Sequence, residues 1–396
     1  MKIFVINAGS SSLKYQLFEM PSPQPVCSGQ VEKIGGSAEI KHVIAGDKPL
    51  EIKRATSVVN HGEAMQEIIG LLTDKTIGVI DSPDDIVAVG HRVVHGGETF
   101  SEATIITEAA KEKIKQLFSL APLHNPVNYE CLVLAEKTFL KAKQIAIFDT
   151  AFHQTIPPAA YRYAIPSKYY DEQQIRVYGF HGTSHKYVTD KLAKHLGQIP
   201  SSVISIHLGN GCSMAAVKDG RSIDTTMGFG PLAGLVMGTR SGDIDPSVLL
   251  HFAEHYKMSF GQISALLNKQ SGMAGFTGTN DMRDVRKLIN SGDKQAIIAE
   301  QIYVYRIKRY IGAYAAAMNG LDAIIFTAGV GENDRDIRRL VCADLDFLGI
   351  ELDEEKNQAA REAVCELQVA GSRVQIFMVR TNEELEIAEQ CYQLMQ

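Results

Sequence analysis

Several features that mark whole classes of protein are missing from this sequence. It has no C-x-x-C pair, and its six cysteines are scattered, which is typical of reduced thiols in a cytosol rather than of a disulfide framework or a zinc site. No uninterrupted apolar run is long enough to span a bilayer. The apolar start breaks at Asn7, too early for a signal peptide. We therefore expect a soluble, cytoplasmic protein with no membrane partner.

Positive charge is not in excess either. The formal net charge is -6 at pH 7 and the isoelectric point is about 6.1, which argues against a nucleic-acid partner. No G-x-x-x-x-G-K-[ST] motif occurs, which excludes a P-loop enzyme, and the glycine-rich residues 228–234 do not match the dinucleotide fingerprint. The chain of 396 residues, 45% hydrophobic and 22% charged, is long enough for two or three domains with a sizeable core.

What the sequence does contain is a pair of similar hairpins. Residues 202–219 read SVISIHLGNGCSMAAVKD: an alternating apolar strand, a tight turn at Gly209-Asn210-Gly211 and a second strand. Residues 3–14, IFVINAGSSSLK, repeat this pattern, and an offset of 200 places His207 on Asn7. Backbone N–H groups at such tips suit a phosphate. Each hairpin alone could be an ordinary turn, but the pair predicts a duplicated fold with a polyphosphate between its halves.

Elsewhere strands alternate with helical patterns, which indicates an α/β architecture. We place a domain boundary near residue 150, and Thr381-Asn382-Glu383-Glu384 predicts a capping-box start for the last helix. The other predicted strands lie within residues 38–53 (a pair), 85–89, 144–148, 323–326 and 374–379. The predicted helices cover 62–72, 108–120, 125–139, a segment ending at 196, 247–255, 259–269, 281–290 and 294–318.

Charged residues at strand ends are the first candidates for a functional site. Arg92 follows a predicted strand and precedes two glycines, a position that suits anion binding, although a buried salt bridge is the alternative. Asp149 ends the next strand and would orient a substrate or a metal-bound water, or cap a helix. Glu383 stands between strand and helix, either as a cap-region charge or as a metal-site carboxylate. His91 and His95 have no third ligand nearby, so they support a metal site only weakly.

The second half adds further polar loops. His181 and His185 are four residues apart but lack the glutamate of the zinc-protease motif, so no zinc is predicted. Arg240 stands in the polar loop 238–246 as a second isolated arginine. Residues 327–333, TAGVGEN, put glycines between a strand and a helix, where a backbone can approach a nucleotide closely.

Three motifs together resemble the acetate and propionate kinases. They are Asn7-Ala8-Gly9-Ser10-Ser11-Ser12-Leu13-Lys14, His207-Leu208-Gly209-Asn210-Gly211 and Gly329-Val330-Gly331-Glu332-Asn333, and the resemblance runs essentially end to end. It implies the α/β fold of the actin, sugar-kinase and heat-shock-chaperone ATPases: two ribonuclease H-like domains from an internal duplication, with a nucleotide in the cleft between them. The implied domains are 1–150 plus 382–396, because the closing helix returns to the first domain, and 151–381, with the nucleotide-binding and dimer surfaces.

The resemblance also implies a reaction. It is a reversible, Mg²⁺-dependent, direct in-line transfer of a phosphoryl group between ATP and acetate, which gives acetyl phosphate and ADP, with Mn²⁺ as a substitute ion. Propionate or another small carboxylate is the alternative substrate. A cytoplasmic homodimer with a place in acetyl-CoA biosynthesis is implied as well.

Residue by residue, the resemblance implies definite roles. Arg92 and Arg240 hold the carboxylate and the transferring phosphoryl group, His181 hydrogen-bonds that group, and Asp149 positions the nucleophile or the magnesium. The other implied residues are Asn7 and Glu383 for magnesium; His124 and His207 lining the site; Val94, Leu123, Phe180 and Pro231 for the acyl chain; and Lys14, His207, Leu208, Gly209, Asn210, Gly211, Asp281, Met282, Arg283, Gly329, Val330, Gly331, Glu332 and Asn333 for the nucleotide.

The chemistry is consistent with this set. A carboxylate is already ionised at pH 7, so it needs no general base. It needs alignment and relief from repulsion as it approaches a polyanion, which arginines, a histidine donor and Mg²⁺ supply. A sugar or polyol kinase would instead use Asp149 as a base, but a neutral substrate does not need two arginines. A non-catalytic ATP-gated scaffold would need a peptide-binding appendage or a polymer interface, and we expect neither.

Val94 bears on which acid is used. It stands two residues after Arg92 on the same predicted strand, so both side chains should project from one face. Relatives that resemble propionate kinases carry a smaller residue there, so Val94 favours acetate; packing in a domain core is the alternative role.

Overall fold

The computed structural model describes residues 1–9 and 11–396; Ser10, in the first hairpin motif, lies outside the described residues. The chain separates into two compact units, residues 1–151 with 382–396, and residues 152–381. Each unit contains a mixed sheet with helices packed against it, so the predicted α/β class is confirmed. In the described part of the chain, no helix combines the length and the apolar character needed to cross a membrane.

The elements are as follows in chain order. The strands are β1 (Lys2–Gly9), β2 (Ser12–Glu19), β3 (Pro25–Glu32), β4 (Glu39–Ile44), β5 (Leu50–Ala55), β6 (Ala88–Val93), β7 (Thr104–Ile105), β8 (Lys143–Phe148), β9 (Ser202–Leu208), β10 (Cys212–Lys218), β11 (Arg221–Thr225), β12 (Ala323–Thr327), β13 (Val364–Glu366) and β14 (Gln375–Val379). The helices are α1 (His61–Leu72), α2 (Glu108–Gln116), α3 (Asn125–Thr138), α4 (Pro158–Tyr161), α5 (Lys168–Gln173), α6 (Gly182–Leu196), α7 (Pro246–Glu254), α8 (Phe260–Lys269), α9 (Gly272–Thr277), α10 (Met282–Asn290), α11 (Lys294–Met318), α12 (Ala328–Asn333), α13 (Arg335–Cys342), α14 (Glu354–Ala359) and α15 (Glu383–Leu394).

The two sheets share one topology. The first has the order β5-β4-β3-β2-β1-β6-β8-β7 and the second β11-β10-β9-β12-β14-β13. In each, the first three strands in chain order pair antiparallel, and the next two large strands add in parallel on the other side. This is the ribonuclease H-like arrangement, so the duplication predicted from the paired hairpins is confirmed.

The strand registers show which positions correspond. Ile3 pairs with Ala88 in the first sheet, as Val203 pairs with Ala323 in the second, and the offset of 200 between the hairpins therefore holds. The pairing of the next strands follows the same register in both sheets. The polar residues at the ends of three parallel strands in one unit therefore correspond to those in the other unit. These positions are Asn7, Arg92 and Asp149 in the first unit, and His207, Thr327 and Thr381 in the second.

The last helix of the chain belongs to the first unit, where α15 packs across β1 and β6. Close approach is possible because Gly90 lies beneath it. A Cβ at Gly90 would lie 2.6 Å from Ile387 Cγ2 and 2.8 Å from Cys391 Sγ, which is too close for any other residue. This packing brings the first turn of α15 to the end of the sheet where β1 and β6 finish.

Two local predictions are wrong by a few residues. The side chain of Asn382, not Thr381, caps α15 by accepting from the Leu385 N–H, so the predicted capping box does not form. Residues 83–85 form a 3₁₀ turn, and β6 begins only at Ala88 and ends at Val93. Val94 therefore lies in the bend after the strand, and the prediction that it shares a strand face with Arg92 is wrong.

Candidate functional site

An ion pair joins the ends of β6 and β8 in the first unit. Arg92 Nη2 donates to Asp149 Oδ2 at 2.5 Å, and Arg92 Nε donates to both carboxylate oxygens at 3.0 Å. Arg92 Nη1 donates to Asn7 Oδ1 at 3.1 Å, at the end of β1. Because these parallel strands end at one edge of the sheet, residues distant in the chain meet there. The salt-bridge alternative for Arg92 is thus the arrangement found.

The ion pair does not use up the guanidinium. An arginine carries five N–H groups, and the bonds to Asp149 and Asn7 leave one on each terminal nitrogen for a ligand. Burial on its own lowers the pKa of Arg92, but the charges of Asp149 and then Glu383 outweigh it, so the net shift is upward. The cation is therefore secured at every working pH.

Glu383 is the first residue of α15, and the pKa of its carboxyl group is raised. Burial raises its pKa to about 7, Arg92 lowers it, and the charges of Asp149 and Glu384 raise it further. Lys14, exposed on β2 opposite Asn7 in the register, lowers it slightly. Burial and the neighbouring carboxylates thus outweigh the positive charges of Arg92 and Lys14 at Glu383.

The second unit has a cluster of histidines and hydroxyls at the corresponding place. The rings of His181 and His207 stack with centroids 4.2 Å apart. His181 Nδ1 is hydrogen-bonded to Ser213 Oγ at 2.9 Å, and His207 Nδ1 to Ser184 Oγ at 2.8 Å. Ser184 Oγ is also 2.9 Å from Thr381 Oγ1. Hydroxyl groups therefore hold both imidazoles, with no carboxylate in these bonds.

The backbone places His181 where it is. It sits at φ 58°, immediately before the first residue of α6, a left-handed conformation that is costly for a residue with a Cβ. This turns its ring toward the hairpin tip between β9 and β10. A Cβ placed on Gly211 would lie 3.4 Å from His181 Nε2 and 3.5 Å from Arg240 Nη1, so the two side chains flank this glycine together.

Arg240 has no carboxylate partner among the described residues. Its Nη1 donates to the Pro231 carbonyl oxygen at 3.1 Å and approaches Met237 Sδ at 3.7 Å. Partial burial lowers the pKa of Arg240, but a guanidinium stays charged in proteins. A half-buried cation compensated by one carbonyl and one thioether is well suited to receive an anion.

A cavity of about 750 Å³ lies nearby in the second unit, within the range of small-molecule sites. The predicted nucleotide residues that line it are Gly209, Asn210, Asp281, Met282, Arg283, Gly329, Val330 and Asn333. Asp281 caps α10 and its carboxylate also accepts from Arg283 Nε at 3.0 Å and Nη2 at 2.5 Å, an arrangement that lowers the pKa of Asp281 to about 2. Residues from three separate segments that were predicted to bind the nucleotide therefore line one cavity together.

Other predicted nucleotide residues lie elsewhere. His207 and Leu208 are buried in β9, and Gly331 and Glu332 lie beneath the cavity in α12 rather than on its lining. Lys14 belongs to the first unit. The lining residues that the sequence did not suggest are Asn280, Arg286, Asp334, Arg335 and Asp336.

The TAGVGEN motif is a short helix rather than a glycine loop. It starts abruptly after β12 with Ala328 at φ 64°. The Glu332 carboxylate accepts from the N–H groups of Ala328, at 3.0 Å, and Thr381, at 3.0 Å. At the other end, the buried Arg338 donates from Nη1 to the carbonyl oxygens of Gly331 and Glu332, both at 2.9 Å. Side-chain bonds therefore hold both ends of α12.

The predicted acyl-chain residues differ in exposure. Val94 is buried, and its N–H donates to Asn128 Oδ1 at 3.1 Å. Leu123 is 70% exposed in the first unit, just before His124 at the start of α3. Phe180 is buried, and its carbonyl oxygen is 3.1 Å from His153 Nε2. Pro231 is held against Arg240, as described above.

With this geometry in place, comparison with known proteins identifies the family. The model of the acetokinase family matches residues 2–389. The chain belongs to the acetokinase family. The acetate kinase of Flavobacterium johnsoniae is 50% identical over 396 residues and all of both chains, and that of Oleidesulfovibrio alaskensis is 48% identical over 98% of both.

Solved structures of family members agree with the fold. The crystal structure of Porphyromonas gingivalis acetate kinase aligns with a TM-score of 0.94 at 41% identity and covers all of both chains. That of a propionate kinase from Francisella tularensis aligns with a TM-score of 0.90 at 41% identity over 98% of both. The resemblance to acetate and propionate kinases read from three motifs is therefore confirmed over the whole length.

Several features of the site were not predicted from the sequence. Ser213 and Ser184 support the two stacked histidines, and Arg338 supports α12. A signal existed for Ser213, because it is a polar residue inside a buried strand pattern. In the sequence, His185 was considered only as half of a His-x-x-x-His pair from which no zinc was predicted. In the structure His185 Nε2 is 2.8 Å from Ser213 Oγ. No group of three or more His, Cys, Asp or Glu side chains that could hold a metal ion is found in residues 1–9 and 11–396.

Proposed function

We propose that this acetokinase-family chain catalyses reversible phosphoryl transfer between ATP and acetate, giving acetyl phosphate and ADP. The observation that carries the proposal is Arg240. It is a half-buried cation with no carboxylate partner in the described part of the chain, and it flanks Gly211 together with His181. Two donors of this kind, held before any ligand arrives, fit the charge of a transferring phosphoryl group.

In this proposal each charged residue has a definite task. Arg240 and His181 stabilise the equatorial oxygens of the transferring phosphoryl group, where charge builds up in the transition state. The two N–H groups that Arg92 retains bind the acetate carboxylate, and Asp149 orients Arg92 for that purpose. The carboxylate attacks in line and needs no base, because it is already ionised near neutral pH. In this proposal Asp149 positions Arg92 and does not remove a proton.

The proposal places the nucleotide in the 750 Å³ cavity of the second unit. The lining supports this, because the hairpin tip Gly209-Asn210 borders the cavity, with the Gly209 N–H bonded to the Gly211 carbonyl oxygen at 3.0 Å. Asp281 and Arg283 at the start of α10 and the exposed edge of α12 would border the ribose and base. Arg338 contributes indirectly, since it holds the carbonyl oxygens of α12 from beneath.

Residues at the first-unit strand ends fit a magnesium ion. Mg²⁺ prefers oxygen ligands and keeps several waters besides substrate phosphates, so few protein ligands are needed. Asn7 offers an amide oxygen, and Glu383 offers a carboxyl group whose pKa burial raises to about 7. We propose that these two residues hold Mg²⁺, or Mn²⁺ in its place. When bound, the ion would neutralise phosphate charge.

The remaining parts of the proposal concern substrate size and setting. The propionate kinase among the similar structures keeps propionate as the alternative substrate, with Val94, Leu123, Phe180 and Pro231 as the acyl-chain residues. We propose that the two compact units are the functional domains, that the chain acts as a cytoplasmic homodimer, and that its acetyl phosphate serves acetyl-CoA biosynthesis.

A trapping experiment tests the reaction directly. The purified chain is incubated with ATP, Mg²⁺, hydroxylamine and one acid from a panel of carboxylates, and the hydroxamate formed from any acyl phosphate is measured. We expect most product with acetate, less with propionate, and none without Mg²⁺. Phosphorylation of a sugar or polyol without hydroxamate formation would refute the proposal. An Arg240→Ala preparation serves as the control for contaminating kinases.

A further inference from the structure

A line of four hydrogen-bonding side chains runs through the core of the second unit to His181. Ser205 Oγ, on β9, is 2.8 Å from His185 Nδ1, and His185 Nε2 is 2.8 Å from Ser213 Oγ on β10. Ser213 Oγ is in turn 2.9 Å from His181 Nδ1. Ser205, His185 and Ser213 are fully buried, so water does not compete for these bonds.

The line can be polarised in two ways. Either each group donates toward His181, or each donates away from it. A serine hydroxyl has one proton, and a neutral imidazole has one N–H and one acceptor nitrogen. One direction therefore determines the position of every proton, including the one on His181.

His185 is neutral, which makes this choice strict. Burial lowers the pKa of His185 well below its usual value, and the nearby rings of His153 and His207 lower it further. A protonated ring would donate from both nitrogens and break the alternation. With one N–H only, His185 must accept at one nitrogen and donate at the other.

Ser205 decides the direction. His185 Nδ1 is the hydrogen-bond partner of its hydroxyl in the described structure, and no second acceptor for that hydroxyl occurs among the described residues. If Ser205 accepted from His185, its own O–H would be left in the core without an acceptor, which costs free energy. Ser205 therefore donates to His185 Nδ1, His185 Nε2 donates to Ser213 Oγ, and Ser213 donates to His181 Nδ1.

We propose that Ser205, His185 and Ser213 are positioning residues that hold His181 as the tautomer with its proton on Nε2. The role rests on the proposed function, in which His181 must donate to an anionic phosphoryl group. Nε2 is the nitrogen next to Gly211 and Arg240 Nη1. In the other tautomer Nε2 would present a lone pair, which repels the oxygens of a phosphoryl group.

The tautomer can be measured without any activity. Protein labelled with ¹⁵N-histidine is studied by long-range ¹H–¹⁵N correlation, which separates protonated from unprotonated ring nitrogens, and a His181→Asn variant assigns the signal. We expect Nε2 of His181 to carry the proton in the wild-type protein. A proton on Nδ1 would overturn the inference, whether or not the protein proves to be a kinase.

Two substitutions test whether the line is the cause. Ser205→Ala leaves His181 and Ser213 in place but removes the donor that sets the direction, so a second His181 tautomer should become detectable. Ser222→Ala is the matched control, because it removes another fully buried hydroxyl that is 2.8 Å from a different imidazole, His153 Nδ1. An unchanged His181 spectrum in Ser205→Ala, or an equal change in Ser222→Ala, would refute the relay.

Kinetics supply a second readout. Ser213→Ala should lower kcat by roughly 10- to 100-fold, as removal of a partner that orients a histidine commonly does, with little change in KM for ATP. Ser213→Thr keeps the hydroxyl and should recover part of the rate. Equal rates for the Ala and Thr variants would show that the hydroxyl proton does not matter. If the wild-type protein formed no hydroxamate at all, the proposed function itself would be refuted.

Discussion

Equivalent strand ends in the two units carry opposite kinds of chemistry. In the first unit Asn7, Arg92 and Asp149 form a charged group joined by short hydrogen bonds. In the second unit the corresponding positions are His207, Thr327 and Thr381, an imidazole and two hydroxyl groups. The backbone pairing is the same in both, so the fold sets only where these groups converge, and the side chains decide what they can bind.

The two arginines make the same point. Arg92 faces Asp149, and the carboxylate charge outweighs burial to raise its pKa. Arg240 lies in a loop of the second unit beside a carbonyl and a thioether, and burial lowers its pKa. Arg92 is anchored by its ion pair and keeps two N–H groups for a ligand, whereas Arg240 has no carboxylate partner among the described residues. Mutations should therefore separate stability from catalysis.

The largest effect on rate is expected at the unpaired arginine. Arg240→Ala should lower kcat by about 10³, as loss of a transition-state charge clamp does, with the melting temperature nearly unchanged. Arg240→Lys should recover little, since an ammonium cannot reproduce the planar fork of donors. Steady-state kinetics with a thermal melt check both. Turnover near the wild-type rate in either variant would remove Arg240 from the mechanism.

The paired arginine should respond differently. Arg92→Ala removes one ion-pair partner of the Asp149 carboxylate, which is 1% exposed, and breaking a buried pair costs up to about 3–5 kcal/mol. We expect loss of both activity and unfolding free energy, measured by urea denaturation. The double variant Arg92→Ala/Asp149→Ala is the control and should regain stability but not activity. Equal stability of Arg92→Ala and Arg240→Ala would break the comparison between the units.

A third arginine tests support from beneath the nucleotide cavity. Arg338→Met should leave the carbonyl oxygens of Gly331 and Glu332 unsatisfied, a cost of about 1–3 kcal/mol, and should raise KM for ATP more than KM for acetate. Arg339→Met is the matched control, because Arg339 is half-exposed and its one ion pair among the described residues is with Asp336 in the same helix. A similar change in both Michaelis constants would indicate general loosening rather than support of α12.

Glu383 links the charged unit to pH. Its pKa is about 7 in the folded chain against 4.5 when unshifted, so the folded state holds more protons between those values. Stability in the absence of Mg²⁺ should therefore fall as pH rises from about 4.5 to 7. Glu383→Gln should flatten this fall, measured as melting temperature against pH.

The same residue should affect the metal response. Glu383→Ala should raise the Mg²⁺ concentration needed for half-maximal rate, because one oxygen ligand is lost. If Glu383 acts only as a charge in the first turn of α15, the variant would lose roughly 0.5–1 kcal/mol of stability. Its magnesium dependence would then match that of the wild-type protein.

The smallest effect concerns the acyl chain. Val94→Ala should raise the propionate-to-acetate ratio of kcat/KM, chiefly through KM for propionate, since one methylene in an apolar pocket is worth about 1–3 kcal/mol. Because Val94 lies after β6 rather than on it, its direction no longer follows from strand alternation. A lower melting temperature with an unchanged ratio would mean that Val94 only packs in the core.

Local patterns in the sequence were sufficient for much of the fold. The hairpin at Gly209-Asn210-Gly211 and the helix over 294–318 were predicted with nearly their observed bounds, because turn residues, caps and periodicity act over a few neighbours. The duplication was also visible, since both hairpins repeat one pattern at a fixed offset. The exact ends of helices were harder to predict where two adjacent side chains could each serve as the cap. Asn382 rather than Thr381 caps α15, and packing decides between them.

The sequence by itself determined the family, the α/β class and most of the polar residues at strand ends, because motif residues and strand patterns are contiguous. Only the tertiary structure decided their partners. Arg92 meets Asp149 across 57 positions and His181 meets Ser213 across 32. Such contacts depend on the order and register of strands in a sheet, which no local pattern encodes. The same fold thus holds one arginine in an ion pair and another without a carboxylate partner in the described part of the chain.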